Sequence, residues 1–161
     1  MTPSTITRTT VDEQLWFLDT LVTIRVPHDA GEDGLSVIES VAPFGDAPPF
    51  HVHRTEDELF QVLEGELLVR IGDEDILAPA GAVLLAPKGI PHSYRVVSAD
   101  GARWLVTTTA GDFEAMVRAA SRPAERADLP ESAGPPSPEQ IAALSALCAD
   151  HCIDLVGPPL S

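Results

Sequence analysis

Basic side chains are scarce. Ten Lys and Arg stand against 25 Asp and Glu, a formal net charge of -15 over 161 residues. Such a surface repels phosphate backbones and anionic lipid headgroups, so neither nucleic acid nor a membrane is expected as a partner. Cysteine is nearly absent too, with only Cys148 and Cys152. Their i, i+4 spacing is not a secreted disulfide framework and, even with His151 between them, not a zinc spacing, so ordinary packing in a reducing compartment is expected. No apolar run reaches the 18 or so residues of a membrane span, the longest being strand-sized pieces such as 82–87, and the first ten residues, MTPSTITRTT, lack the apolar segment of a secretory signal. A cytoplasmic protein is expected. With 44% hydrophobic residues, the chain has enough apolar material for one packed domain.

What is abundant is short alternating runs broken by Gly, Pro and Asp. Strands are predicted at 15–18, 21–26, 35–41, 51–53, 58–63, 67–71, 75–77, 83–85, 92–97 and 103–108, with tight turns at Glu64-Gly65 and Gly72-Asp73. So many strands in about a hundred residues imply a sandwich or barrel. Beyond Thr109 the pattern changes to a helical one. Asp112 is placed to cap a helix whose Phe113, Met116, Val117 and Ala120 form one apolar stripe. Residues 122–136 hold four prolines and read as a loop or strap. Ser137-Pro138-Glu139-Gln140 reads as a capping box opening a second helix, with Ile141, Leu144, Leu147 and Cys148 on one face and an end near Cys152. The expected division is a β-barrel over 1–110 and a helical extension over 111–161, packed on the barrel as a lid or on a second subunit. A homodimer is expected.

The chemistry is concentrated in GDAPPFHVHRTEDELFQVLEG, residues 45–65, and GAVLLAPKGIPHSY, residues 81–94. His51 and His53 lie two apart, so an extended strand projects both imidazoles from one face. Glu58 opens the next strand on the face of Phe60 and Val62, and His92 opens another with Tyr94 and Val96. Three neutral imidazoles and a carboxylate suit a divalent first-row metal and leave positions open for a small-molecule substrate. Burying three histidines without a metal would strand their ring nitrogens. His28, in a polar loop, is expected to be exposed, and Glu56 and Asp57 read as a solvated face.

These two segments resemble the motifs of the cupin superfamily. The first, G(X)5HXH(X)3-4E(X)6G, is met at Gly45, His51, His53, Glu58 and Gly65; the second, G(X)5PXG(X)2H(X)3N, at Gly81, Pro87, Gly89 and His92, with Val96 in place of the final Asn. The resemblance implies an all-β double-stranded β-helix, or jelly-roll barrel, here with C-terminal α-helices, and His51, His53, Glu58 and His92 holding one metal ion inside. The ligand set allows iron, manganese, nickel, cobalt, copper or zinc. The stretches EQLWFLDTLVTIRV and IDLVGPPL also resemble single-domain cupins of the quercetin 2,3-dioxygenase-like kind. That likeness implies a dioxygenase acting on a small aromatic, flavonol-like substrate. Glu58 is then both ligand and general base, and Phe50, Phe60, Tyr94 and Trp104 are the candidate pocket residues. The alternatives are a metal-dependent isomerase, cyclase or lyase that uses no oxygen, and a non-catalytic small-molecule-binding barrel.

Overall fold

The computed structural model describes residues 13–161. Its strands are β1 (Glu13–Phe17), β2 (Thr20–Val26), β3 (Ser36–Ala42), β4 (Pro49–His53), β5 (Glu58–Glu64), β6 (Glu66–Ile71), β7 (Glu74–Pro79), β8 (Val83–Ala86), β9 (His92–Val96), β10 (Ala102–Thr108), β11 (Arg122–Pro123) and β12 (Ile153–Pro159). The helices are α1 (Asp112–Ala120) and α2 (Pro138–Asp150). Two antiparallel sheets face each other as a jelly roll, in the orders β11-β1-β2-β3-β10-β5-β8 and β12-β4-β9-β6-β7. Each predicted strand and both predicted turns are present. Among the described residues no helix is long and apolar enough to cross a membrane.

Alternation puts one set of side chains inside. Strand β3 buries Ser36, Ile38, Ser40 and Ala42, and β10 buries Ala102, Trp104, Val106 and Thr108. Between the sheets lies a core that includes Phe60, Val62, Leu67, Val69, Val96 and Trp104. Val96, where the motif has Asn, is therefore a core side chain with no exposure. A second core joins Leu15, Val22, Ile24 and Ile38 of the first sheet to Met116 and Val117 of α1, Cys148 of α2 and Ile153 of β12. The two helices thus seat on the barrel through apolar surface, each buried side chain contributing on the order of 1.5–3 kcal/mol.

Several expectations are corrected. The N-cap of α1 is Gly111, which makes no side-chain cap bond, and Asp112 is its first residue. The Asp112 carboxylate is turned outward to accept from Thr55 Oγ1 at 2.5 Å. Helix α2 has the predicted capping box, with Gln140 N–H donating to Ser137 Oγ at 3.2 Å and Ser137 N–H to Gln140 Oε1 at 2.7 Å. It ends at Asp150 with His151 as its C-cap, near the expected Cys152, but it seats through its C-terminal half, so Ile141 is exposed, Leu144 and Leu147 are half-buried and Cys148 is buried. Nor is the segment after residue 110 purely helical. Strand β11 pairs with β1, and β12 pairs with β4 beside the histidines. The Gly157-Pro158-Pro159 ending conceals β12 in the sequence, and it is tolerated because β12 is an edge strand. The strap that carries β11 is held by Trp16, whose indole N–H donates to Asp128 O at 2.8 Å.

Candidate metal centre

Strand β4 runs antiparallel to β9 with His51 opposite His92. This register and the pleat bring three imidazoles to one inner face, with ring centroids 5.3 Å (His51–His53), 4.6 Å (His51–His92) and 5.4 Å (His53–His92) apart. Glu58 enters from the first residue of β5, in the opposite sheet. Its Oε2 lies 2.7 Å from His92 Nε2 and 3.2 Å from His53 Nε2. One ligating atom from each of His51, His53, Glu58 and His92 falls within 4.8 Å of the other three.

The ring orientations suit a cation. His51 Nδ1 lies 2.7 Å from Pro49 O, and His92 Nδ1 3.0 Å from Ile90 O. With Nδ1–H donated to a carbonyl, the neutral ring keeps its Nε2 lone pair for the cluster. His53 is different. It is 1% exposed, and neither ring nitrogen has a hydrogen-bond partner, its approach to Glu58 lacking the alignment of one. An orphaned buried nitrogen costs about 1–3 kcal/mol, and a metal ion supplies the missing partner. Among the described residues no lysine or arginine lines the cavity to balance Glu58.

The electrostatics agree. Burial works against ionisation of Glu58, but His53 and then His92 outweigh it and hold the carboxyl well below its ordinary range. His51 is pushed down to about 4, chiefly by burial and then by His92. Burial also opposes charge on His53, yet Glu58 beside it raises that group overall. The site thus keeps a carboxylate anion beside at least one lone-pair nitrogen, a donor set for a divalent transition metal.

His51, His53 and Glu58 form one wall of a cavity of about 90 Å³ whose other walls are mainly apolar. Phe60, Tyr94 and Trp104 line it from the barrel, and Phe113 and Met116 from α1. Tyr94 stacks edge to face on Trp104 at 4.9 Å and donates its hydroxyl to Asp46 Oδ2 at 2.9 Å. Burial, followed by the Asp46 charge, raises the Tyr94 phenol well above its usual range. Phe50 does not line this cavity. The pleat that turns His51 and His53 inward turns Phe50 outward, onto Gly157 of β12 and a separate depression with Leu68 and Arg70. His28 is exposed, as expected of its loop.

Two site residues escape sequence reasoning. Asp46 sits among prolines in the loop before β4, with nothing to signal its tie to Tyr94. Glu56, expected on a solvated face, has no exposure at all. Its carboxylate accepts the Phe113 N–H at 3.0 Å and so caps α1 in place of Asp112. A run of three acids, Glu56, Asp57 and Glu58, hides which of them are inside.

A jelly roll carrying three histidines and a glutamate on its inner face defines a class of small metal-binding barrels. Comparison with known proteins is specific: residues 37–108 match the cupin domain family. The chain is 32% identical to quercetin 2,3-dioxygenase of Bacillus subtilis over 106 residues, which cover 66% of this chain but only 31% of that relative. Among solved structures, a predicted oxalate decarboxylase from Thermotoga maritima superposes with a TM-score of 0.57 at 16% identity, covering 65% of this chain and 96% of that one. KdgF from Halomonas sp. gives 0.52 at 18% identity, covering 60% and 84%. Both of these structures speak to the fold alone.

Proposed function

We propose that this protein holds one divalent transition-metal ion through His51, His53, Glu58 and His92 and acts as a dioxygenase on a small aromatic substrate bearing adjacent oxygen atoms. The observation that carries this reading is the convergence of four ligating side chains, three of them (His51, His53 and Glu58) lining a largely apolar cavity, with buried His53 left without a hydrogen-bond partner. The likeness to the Bacillus quercetin 2,3-dioxygenase supports the choice of reaction.

The ion, when bound, supplies Lewis acidity toward a substrate oxygen and a redox-active or polarising centre for dioxygen. The chain supplies the rest. Glu58 takes the proton of the substrate hydroxyl on a carboxylate oxygen, and its neighbours keep that oxygen ionised until then. Phe60, Tyr94 and Trp104 hold the ring by its faces and edges and keep water from the deprotonated substrate. Asp46 fixes the Tyr94 hydroxyl, so that this wall presents a rigid, protonated phenol.

The test begins with protein purified without chelators. Elemental analysis is expected to find about one equivalent of a transition metal, and an oxygen electrode is expected to record uptake matched to substrate loss with catechols or hydroxyketones. Substrate conversion without oxygen uptake would select isomerase or lyase chemistry at the same floor; absence of metal from protein reconstituted with each candidate ion would overturn the reading.

A further inference from the structure

Helix α1 is bound by buried acids to the loop between β4 and β5 and to the start of β3, and this limits what the cavity can admit. We propose that α1 is a fixed roof, that the site takes a ligand of no more than one ring carrying two adjacent oxygens, and that Met116 and Phe113 set this limit. The proposal rests on the metal-site reading above and narrows its substrate class.

Size is the first argument. The cavity measures about 90 Å³, whereas an engineered apolar cavity that encloses one benzene measures roughly 150 Å³. By this measure a single ring already more than fills the space, and even it requires the walls to give slightly. A second fused ring has to displace Met116, which is 4% exposed, or Phe113, whose ring centroid lies 5.7 Å from that of His53.

The second argument is that the roof is not free to lift. The loop 54–57, which joins His53 to Glu58, is bonded to the start of α1. Thr55 Oγ1 donates to Asp112 at 2.5 Å, Phe113 N–H to Glu56 at 3.0 Å, and Asp57 N–H to Thr109 Oγ1 at 3.0 Å. From the other side, Glu114 accepts from Ser36 Oγ at 2.6 Å and from His28 N–H at 2.9 Å. Raising α1 would strip two buried carboxylates of their donors and pull on the segment between two ligands. Overpacking a well-ordered wall is unfavourable, and the roof's own bonds add to that.

The experiment uses the full chain loaded with zinc and two probes that share a hydroxyketone head: tropolone, with one ring, and 3-hydroxyflavone, with fused and pendant rings. Calorimetry is expected to show tropolone binding and 3-hydroxyflavone weaker by about a hundredfold. Met116→Ala is expected to narrow that gap by about tenfold or more, with Leu144→Ala, on the α2 side of the same cavity, as a second variant should the first fail to fold. Zinc-loaded wild type that binds both probes within a few-fold, or that binds neither, overturns the size limit alone, as does a gap that neither variant changes. Failure to take up zinc refutes the metal-site reading and the size limit with it.

Discussion

The carboxylate of Glu56 closes the N-terminus of α1, accepting the Phe113 N–H at 3.0 Å while itself sealed from solvent. A capping side chain usually belongs to the residue just before the helix; here it comes from the loop between two residues of the candidate metal centre. Glu56→Ala is expected to cost about 1–2 kcal/mol and to speed amide exchange at Phe113. Burial raises the Glu56 carboxyl above its ordinary range, so Glu56→Gln, which keeps an acceptor oxygen, is expected to cost less than the alanine. Equal losses in urea unfolding would show that charge, not the hydrogen bond, is what α1 needs.

His53→Ala is expected to strip the protein of most of its metal while leaving the barrel folded. The inter-sheet core is carried by apolar side chains such as Phe60, Val62, Leu67, Val69, Val96 and Trp104, and His53 makes no hydrogen bond of its own to lose. Elemental analysis against circular dichroism reads the two effects separately. Full metal content in the folded variant would remove His53 from the ligand set.

Glu114 supplies a pH dependence of known sign. Burial disfavours its charge, but Ser36, the His28 N–H and Arg118 outweigh that and lower its carboxyl below the ordinary 4.5. A folded value below the unfolded one means that the stabilisation is complete above about pH 4.5 and disappears as pH falls through the folded value. Wild type is therefore expected to exceed Glu114→Gln in stability at about pH 7, with the difference shrinking by about pH 3.5. Urea midpoints at the two pH values test this; a difference that grows in acid would reverse the assignment.

The barrel was legible because its strands carry a strict period of two. In β3 and β10 every second residue is inside, and pattern alone locates both. Of the four candidate ligands, His51 and His53 were legible for the same reason, since HXH on a strand must place two imidazoles on one face, whereas Glu58 and His92 were picked out by the spacing of the motifs. The same rule excludes Phe50, one residue before His51, from that face, and residue type had outweighed position in choosing it. Burial of Glu56 was not legible, because it depends on where α1 docks, and that contact joins residues 57 positions apart. Strand β12 was hidden because its pairing with β4 is long-range and its glycine and prolines argue locally against a strand.

The motif glycines differ in why they are glycine, and stability should divide them. Gly65, between β5 and β6, has φ +75, and a Cβ there would stand 2.4 Å from Gly101 O and 2.5 Å from Ser98 Oγ. Gly81 has φ +92, but nothing lies within 4 Å of where its Cβ would be. Alanine at 81 therefore meets only the left-handed backbone penalty, about 1–2 kcal/mol. Alanine at 65 meets that penalty and a backbone carbonyl that cannot withdraw without breaking the turn before β10, where Gly101 N–H donates to Ser98 O at 3.0 Å. Gly65→Ala is expected to lose more than about 3 kcal/mol, enough to unfold a marginal domain, and Gly81→Ala to remain folded with a lower melting temperature. Comparable melting temperatures for the two variants would mean that the β5–β6 turn relaxes around a methyl group, and that close approach of the chain is not what reserves this position for glycine.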